Sequence, residues 1–390
     1  MKVAMMVRAF LETPVPGNIA YSPAIVAKNI AEGLEKLGHT VTFFGPEGTK
    51  LDVSAIETSS LHSVAKSQVD LDDFVGTSEL FENYRPGLYD AIAVKHMLQR
   101  AADGEFDCVL FHHFESVLPI ASLFPTVPVI HVLHDFINQH RREAIELHSS
   151  LNQHFISISN SQRRDAPDLN YAATVYNGIE TELFTPIKEP EDYLMISGRV
   201  TPDKGVKEAV QIAMQTNRRL LISGSLSKVD YWYFEEHIKP FLNNKILFLG
   251  MLDRAQLVKY YQNAAGLLMP IQWQEPFGLA MAEAGACGTP VIAFDRGSVR
   301  EVVKDGKTGF IVNNSAEMIL AIEKLPQIRR KDCRDHVMKN FSVDKMVSQY
   351  EAVLTEIVTQ HSSKSPRSPF ESGKKLGQKV RKISRKLLNP

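Results

Sequence analysis

The sequence predicts an α/β protein with two domains, each built on its own parallel sheet. In both halves, short apolar runs typical of buried strands alternate with stretches of helical periodicity. This alternation is typical of parallel sheets covered by helices. Between the halves, residues 180–191 (ETELFTPIKEPE) hold two prolines and four glutamates with little periodicity, which indicates a linker. A chain of 390 residues is long enough for two such domains.

The first half opens with a strand, a loop, a helix and a second strand. Residues 2–7 are a short apolar strand, and residues 13–23 form a proline-rich loop. Helical spacing covers 24–37 and ends at Gly38, before a strand at 40–44. This order is Rossmann-like, an arrangement in which the first loop faces a ligand, but the chain has no GxGxxG motif. The other elements predicted in this half are a helix at 89–102 and strands at 108–111, 129–133, 155–159 and 174–176, while residues 51–85 stay unassigned.

The pattern restarts after the linker. We predict an N-terminal domain at 1–185, a C-terminal domain at 186–342, and a helix at 343–360 that packs back on the first domain. Ligands of parallel sheets bind beyond the carboxyl ends of the strands, so two facing domains predict a site in the cleft between them. The predicted strands of the second half are 193–197, 220–223, 246–249, 266–269, 291–294 and 309–312.

Composition narrows the class of protein. The chain is 44% hydrophobic and 23% charged with a net charge of −1, which is ordinary for a globular protein, and we expect no nucleic-acid partner. Its three cysteines, Cys108, Cys287 and Cys333, are far apart and fit no metal or disulfide pattern, so we expect buried free thiols. The first residues lack the pattern of a signal peptide, and no apolar run reaches the roughly 18–20 residues of a membrane span. We therefore expect a cytoplasmic protein.

The C-terminal segment 361–390 differs from the rest. It carries nine Lys and Arg residues against one acid, Glu371, for a net charge of +8. Its apolar residues recur at helical spacing, which is typical of a basic helix lying on an anionic membrane surface. The alternative is a disordered, solubilising tail. The apolar positions are Leu376, Val380, Ile383 and Leu387.

Two cations follow the first strand of the second half. Arg199 and Lys204 lie in the segment SGRVTPDKG, where a ligand of a parallel sheet would sit. Arg offers a planar fork for phosphate oxygens and Lys a compact charge, so together they could stabilise a diphosphate. The alternative is that both are solvated side chains of a surface loop.

A second candidate segment is EPFGLAMAEAGACGTPVIAF, residues 275–294. Glu275 and Glu283 lie among apolar residues, where a carboxylate needs a partner, and sugar or ribose hydroxyls would serve. Pro276 precedes the helix formers, so the backbone amides of 277–279 should point out of a helix N-terminus, which binds anions. The alternative is an ordinary helix–strand unit with surface glutamates. Trp273 could stack on a sugar, although we expect it to pack.

Together these segments resemble the retaining glycosyltransferases of family 4, which have the GT-B fold of two facing Rossmann-like domains. The resemblance is carried by SGRVTPDKG, by Glu275-Pro-Phe-Gly-Leu with Glu283 eight residues on, and by CGTPVIAFDRGSVREVVKDGKTGFIV. Further support comes from LGHTVTFF, SISNSQRR and VYNGIETELFTP, and the resemblance covers roughly residues 1–355. It implies a nucleotide-diphosphate sugar as donor, a hydroxyl acceptor, and no metal or other cofactor.

The resemblance also implies roles for individual residues. Arg199 and Lys204 match the pair that holds the donor diphosphate. Glu283 matches the acid at the ribose, and Glu275 the one at the donor sugar. The backbone around sugar and phosphate is matched by Phe277, Gly278 and Leu279.

In the first domain, His134 matches the family histidine that contacts donor sugar or acceptor, and a histidine there could bond a hydroxyl or take a proton. His112 also follows a strand, with a structural role as the alternative. The chain departs from the family in its first loop, where Tyr21 and Ser22 replace two adjacent glycines. In this loop, the candidate residues for contact with the acceptor or with the donor phosphate are Gly17, Asn18 and Tyr21.

The sequence thus predicts a metal-independent retaining hexosyltransferase with Glu275, His134, Arg199 and Lys204 as its catalytic residues. The acceptor would be a glycan, lipid-linked saccharide or small molecule, as in polysaccharide biosynthesis. Two alternatives stay open: a sugar-nucleotide epimerase of the same fold, and a non-catalytic relative that binds a sugar nucleotide.

Overall fold

The computed structural model describes residues 1–16, 19, 21–62 and 80–363. It contains two open sheets whose recorded strand pairings are all parallel, which confirms the predicted α/β class. The first sheet has the order β3-β2-β1-β4-β5-β6-β7 and the second β10-β9-β8-β11-β12-β13. The strands are β1 Lys2–Met6, β2 Thr40–Glu47, β3 Ala55–His62, β4 Cys108–Phe111, β5 Val129–Leu133, β6 Gln153–Ser157, β7 Tyr171–Thr174, β8 Tyr193–Ser197, β9 Arg219–Ser223, β10 Ile246–Phe248, β11 Gly266–Met269, β12 Val291–Phe294 and β13 Gly309–Val312.

Helices connect most of the parallel strands, whereas β2 and β3 are joined by residues 48–54 without a helix. The helix starts are set by local signals: Asn138, Asp253, Asn314 and Ser342 each accept a backbone N–H of the first turn through the side chain. The helices are α1 Ser22–Lys36, α2 Leu80–Ala102, α3 Leu118–Ala121, α4 Gln139–His148, α5 Val206–Gln215, α6 Tyr231–His237, α7 Arg254–Asn263, α8 Leu279–Ala286, α9 Val299–Val302, α10 Ser315–Ile322, α11 Arg330–Asn340 and α12 Val343–Ser362.

The central strands of both sheets are buried on both faces. Every residue of β4, β5, β11 and β12 is buried, which explains why these strands are continuous apolar runs. Cys108, Cys287 and Cys333 are buried free thiols, as predicted. Within the described residues, no helix is both long and apolar enough to cross a membrane.

Helix α12 returns from the second half of the chain to the first domain. It follows a backbone link in which Ile179 donates to the Phe341 carbonyl at 2.7 Å. It then packs on α1, and a Cβ at Gly33 would lie 2.4 Å from Cγ2 of Val347. The helix runs to Ser362, two residues beyond the predicted end, and the basic tail from 364 onward lies outside the described residues.

Several regions differ from the sequence-based prediction. The strand predicted at 174–176 shares only Thr174 with β7, and helices α3 and α4 were not predicted. Strand β3 falls within residues 51–85, which the sequence pattern does not assign, because AIETSSLH is a polar edge strand without an apolar run. Helix α2 begins at Leu80 rather than 89 and contains Pro86, a residue that is unusual inside a helix.

The contact between α1 and α12 gives a stability prediction. Gly33→Ala should lower the free energy of unfolding by about 1–3 kcal/mol, because the new methyl meets both methyls of Val347. In a Val347→Ala background the same change should instead stabilise, by up to about 1 kcal/mol, since Ala favours a helix over Gly. Urea unfolding of the four proteins measures both effects. Equal effects of Gly33→Ala in the two backgrounds would contradict the packing.

Candidate functional site

The site lies where the strand order of the second sheet reverses. Strands β8 and β11 are neighbours, but the chain continues from β8 towards β9 and from β11 towards β12, on opposite sides. Loops leaving the carboxyl ends of two such strands diverge and open a crevice. The loop 198–205 follows β8, and the loop 270–278 follows β11. These loops carry five of the seven residues that the sequence predicts to bind the donor.

The two loops are tied together through their backbones. Gln272 donates its N–H to the carbonyl of Asp203 at 2.8 Å. Gly205, with φ of 73°, approaches β11 so closely that a Cβ there would lie 1.9 Å from the Pro270 carbonyl oxygen. A residue with a side chain at 205 would push the loops apart. Backbone contacts alone therefore set the separation of the two loops.

Lys204 and Glu275 form an ion pair between these loops. Lys204 Nζ lies 2.7 Å from Glu275 Oε2, and Glu275 is only 7% exposed. Trp273 Nε1 donates to the same oxygen at 3.0 Å, and its ring centroid lies 4.4 Å from the Lys204 ammonium. Glu275 is therefore not a surface glutamate. The role of Trp273 in holding both charges was not predicted, since a tryptophan two residues before a glutamate gives no signal of this contact.

Arg199 is much less constrained. Its side chain is 56% exposed, and the nearest recorded carboxylate, Asp203, is 3.9 Å away. A guanidinium on a loop at the carboxyl end of β8 can reach a ligand in the crevice. Arg199 thus adds an accessible cation on the same loop as Lys204, whose side chain is 16% exposed.

Helix α8 begins at Leu279, with Gly278 as its N-cap at φ of 82° and no side-chain cap. The sequence had placed the start nearer Pro276, which instead belongs to the preceding loop. Phe277 is buried, and its ring packs against Phe341 (centroids 5.6 Å apart) and Tyr176 (6.2 Å). The N-terminal amides of α8 therefore start at the end of the loop that carries Glu275, and amides at a helix N-terminus are suited to an anion.

Glu283 lies one turn inside α8. Burial and the nearby Glu180 charge together raise the pKa of its carboxyl to about 7, against the opposing effects of Arg254 and of the nearby Tyr261 hydroxyl. Arg254 itself forms an ion pair with Glu180. Near neutral pH, Glu283 therefore exists in both protonation states, which a carboxylate on a solvated surface would not do.

In the first domain, His112 and His134 come together. His112 Nδ1 and His134 Nε2 lie 2.8 Å apart, so one ring donates its N–H to the other. Burial lowers the pKa of His134 to about 4 and that of His112 well below its usual value. Both rings are neutral at pH 7. The pairing shows that the two predicted histidines form one unit.

A second pair at the same sheet edge was not predicted. Arg8 lies two residues after the end of β1, and its Nε lies 2.8 Å from Oδ2 of the fully buried Asp90. Ala9 donates its N–H to the other Asp90 oxygen at 2.7 Å, and burial raises the pKa of Asp90 to about 6. The basic residue after a strand was a usable signal, but nothing in the helix pattern marked Asp90.

Tyr21 lies near this pair: burial raises the pKa of its phenol, and the nearby Arg8 charge opposes the shift. Gly17 and Asn18 lie outside the described residues. Among the residues that the structure describes, no cluster of three or more His, Cys, Asp or Glu side chains is arranged to hold a metal ion.

The raised pKa of Glu283 predicts a pH effect on stability. The folded state holds the proton more tightly than the unfolded chain. The stability that this tighter proton binding contributes is fully present below about pH 4.5 and is lost as the pH rises through about 7. Glu283→Gln has no carboxyl to lose a proton, so it should not lose this stability. The free energy of unfolding of the variant, relative to that of the parent, should therefore rise by about 1–3 kcal/mol between pH 5 and pH 8. Urea unfolding at both pH values measures this. A pH-independent difference would contradict the assignment.

Comparisons with known proteins agree on the family. The model "Glycosyl transferases group 1" matches residues 180–339, and "Glycosyltransferase Family 4" matches residues 24–183. The chain is 27% identical over 210 residues to N-acetyl-alpha-D-glucosaminyl L-malate synthase of Bacillus anthracis, covering 47% of this chain and 54% of that protein. It is 26% identical over 165 residues to D-inositol 3-phosphate glycosyltransferase of Paenarthrobacter aurescens, covering 37% and 40%. The chain thus spans about half, or less, of the length of these curated relatives.

Solved structures show the same fold. Sucrose-phosphate synthase from Thermosynechococcus elongatus superposes with a TM-score of 0.71 at 18% identity, over 92% of this chain and 99% of that one. HepE from Anabaena superposes with a TM-score of 0.66 at 16% identity, over 91% and 100%. The two family models between them span residues 24–339, and the fold matches throughout. The chain belongs to the glycosyltransferases of family 4, with the GT-B fold.

Proposed function

We propose that the chain is a retaining glycosyltransferase that moves a hexose or related sugar from a nucleotide-diphosphate sugar to an acceptor hydroxyl. The observation that carries this proposal is the Lys204–Glu275 ion pair at the carboxyl ends of β8 and β11, with Arg199 exposed beside it. Cations suited to a diphosphate and a carboxylate suited to sugar hydroxyls meet at one sheet edge.

The diphosphate would bind between Arg199, Lys204 and the N-terminus of α8. Negative charge develops on it as the sugar departs, and fixed cations and backbone dipoles stabilise such charge without reorganisation. We propose that this set supplies the stabilisation that a divalent cation would otherwise give. Lys204 has three N–H donors, so it can bind a phosphate oxygen while it keeps Glu275.

The two glutamates would hold different parts of the donor. Lys204 and Trp273 both donate to Oε2 of Glu275, so a sugar hydroxyl would donate to Oε1. Glu283 would accept hydrogen bonds from the ribose hydroxyls in its ionised form. The raised pKa of Glu283 is consistent with this role, because without a ligand the ionised carboxylate lacks the hydroxyl donors that would stabilise it.

In the reaction, the acceptor oxygen bonds to the anomeric carbon. The bond from that carbon to the diphosphate oxygen breaks, and its electron pair leaves with the nucleoside diphosphate. We propose that a departing phosphate oxygen takes the proton of the acceptor. His134, with a pKa of about 4, is a weak base at neutral pH and would instead hydrogen-bond a sugar or acceptor hydroxyl. Retention of configuration follows the family pattern.

Structural relatives support a nucleotide-linked donor. HepE was solved in complex with UDP-glucose, and starch synthase IV from Arabidopsis thaliana was solved bound to ADP and acarbose. The residues described above recognise ribose, diphosphate and sugar, and these parts are shared by UDP-, ADP- and GDP-sugars. The acceptor, a glycan, lipid-linked saccharide or small molecule, would enter from the first-domain side beside His134.

We also propose that the protein acts in the cytoplasm and that its basic tail binds the inner face of the membrane. The net charge of +8 over 361–390 and the apolar stripe support this association. Flotation with anionic and neutral vesicles, with and without residues 364–390, tests it. Equal recovery of both proteins with anionic vesicles would contradict it.

Substitutions at the site should separate binding from turnover. Arg199→Ala should raise the Kd for the donor by about tenfold or more, because it removes a charge-assisted contact.

Glu275→Gln should lower kcat by about a hundredfold, since it weakens both the sugar contact and the ion pair with Lys204. Titration calorimetry with UDP-, GDP- and ADP-sugars and a transfer assay in EDTA measure the two constants.

Arg329→Ala is the matched control, because Arg329 is an exposed arginine of the same domain that contacts Asp332. It should leave both constants unchanged. Transfer at the parental rate by folded Glu275→Gln would overturn the role of Glu275. Conversion of the donor without acceptor would identify an epimerase, and donor binding without any turnover would identify a non-catalytic relative.

A further inference from the structure

Glu301 forms a contact between the two domains that neither the sequence pattern nor the proposed chemistry assigns. It lies on α9, the short helix after β12 in the second domain. Its Oε2 accepts the backbone N–H of Asn160 and its Oε1 that of Ser161, both at 2.7 Å. Asn160 and Ser161 follow β6 of the first domain and begin the 3₁₀ helix Ser161–Asp165. One carboxylate therefore caps a helical turn of the other domain.

This cap is well matched chemically. Asn160 occupies the N-cap position, yet its own side chain makes no capping hydrogen bond, so the cap is supplied by Glu301. A carboxylate is favoured at a helical N-terminus because N–H groups and the backbone dipole both point towards it. Tyr176 of the first domain adds a third bond, donating its hydroxyl to Glu301 Oε2 at 2.9 Å.

Glu301 is rigidly connected to the donor site. Its own N–H donates to the Ser298 carbonyl at 2.8 Å, and Ser298 is fully buried. Ser298 in turn donates its N–H to the Glu275 carbonyl and its hydroxyl to the Phe277 carbonyl, each at 2.9 Å. One helical turn therefore joins the interdomain cap to the backbone that carries Glu275.

The adjoining loop leaves little room for adjustment. Gly297 has φ of 58°, and a Cβ there would lie 2.3 Å from the Glu275 carbonyl oxygen. The N–H of Gly297 donates to Gln274 Oε1 at 2.8 Å. A shift of the Asn160–Ser161 turn relative to the second domain would pull on Glu301 and so on the Glu275 loop.

A parallel contact runs through the aromatic rings. Tyr176 packs against Phe277, two residues after Glu275, with ring centroids 6.2 Å apart, and against Phe341 at 5.5 Å. The hydroxyl of Tyr176 meets the carboxylate of Glu301, and its ring meets the Glu275 loop. The first domain thus contacts the Glu275 loop, residues 270–278, in two ways: through Glu301 and through the ring of Tyr176. Tyr176 takes part in both contacts.

We propose that Glu301 is a positioning residue that fixes the first domain, and with it the acceptor, relative to the Glu275 loop. This inference rests on the proposed glycosyl transfer. Glu301 does not touch the donor in this account. Its loss should therefore reduce transfer while leaving the binding of a free nucleoside diphosphate to the second domain unchanged.

Glu301→Gln is the first test, because Gln keeps the size of the side chain but replaces one accepting oxygen with an amide that cannot accept an N–H. We expect kcat for transfer to fall about tenfold or more, with the Kd for the nucleoside diphosphate within twofold of the parent. Tyr176→Phe should give a smaller loss, about threefold to tenfold, since it removes one hydrogen bond. Glu323→Gln, at an exposed glutamate of the same domain, should match the parent in both constants.

Amide hydrogen exchange provides a readout that does not depend on activity. In Glu301→Gln, the amides of Asn160 and Ser161 should exchange at least tenfold faster, while those of β12 keep the parental rate. If exchange and kcat both match the parent, the proposal is overturned. Uniformly faster exchange across the chain would also overturn it, because it would show general destabilisation. Should the parent show no transfer, the proposed function fails, while the exchange comparison still decides whether Glu301 holds the domains.

Discussion

The ion pair between Lys204 and Glu275 is the interaction on which the site depends. Glu275 is almost fully buried, and a carboxylate in that position is stable only with a partner. Removing one member of a buried pair commonly costs roughly 3–5 kcal/mol, because the other charge stays buried alone. Lys204 thus stabilises Glu275 in a site that is complete before a ligand arrives. Trp273 supports the pair by donating to the carboxylate and covering the ammonium.

Backbone constraints explain why this pair can form. Lys204 and Glu275 follow different strands, and their loops meet only because Gly205 passes against the Pro270 carbonyl without a side chain. On its far side the Glu275 loop is held by Ser298, which leads within one helical turn to Glu301 and the first domain. The proposed donor site is therefore supported by its own sheet on one side and by the interdomain contact on the other.

Much of this architecture could be predicted from sequence, because buried parallel strands are continuous apolar runs and their carboxyl ends mark the site. Arg199 and Lys204 are singled out by their position after such a strand, and Glu275 and Glu283 by their apolar surroundings. Strand β3 was not predicted, since a polar edge strand lacks the apolar pattern. Composition and periodicity did not decide what these site residues bind, and their roles were implied by the resemblance to family 4.

The side-chain partners could not be predicted in the same way. Lys204 and Glu275 are 71 residues apart, and Glu301 is separated from Ser161 by 140 residues, so no local pattern links them. Asp90 lies inside a helix where an acidic residue is normally solvated, and only the fold brings it to Arg8. Such contacts depend on how loops converge at a sheet edge, which residue spacing does not encode.

The central claim is that Glu275, held by Lys204, contacts the sugar of the donor. The most direct test compares calorimetric Kd values of the parent and of Glu275→Gln for a nucleotide sugar and for the matching free nucleoside diphosphate. Glu275→Gln should weaken binding of the nucleotide sugar about tenfold more than binding of the nucleoside diphosphate, since only the nucleotide sugar presents the hydroxyls of the transferred sugar. Equal weakening of both ligands, or none, would contradict it.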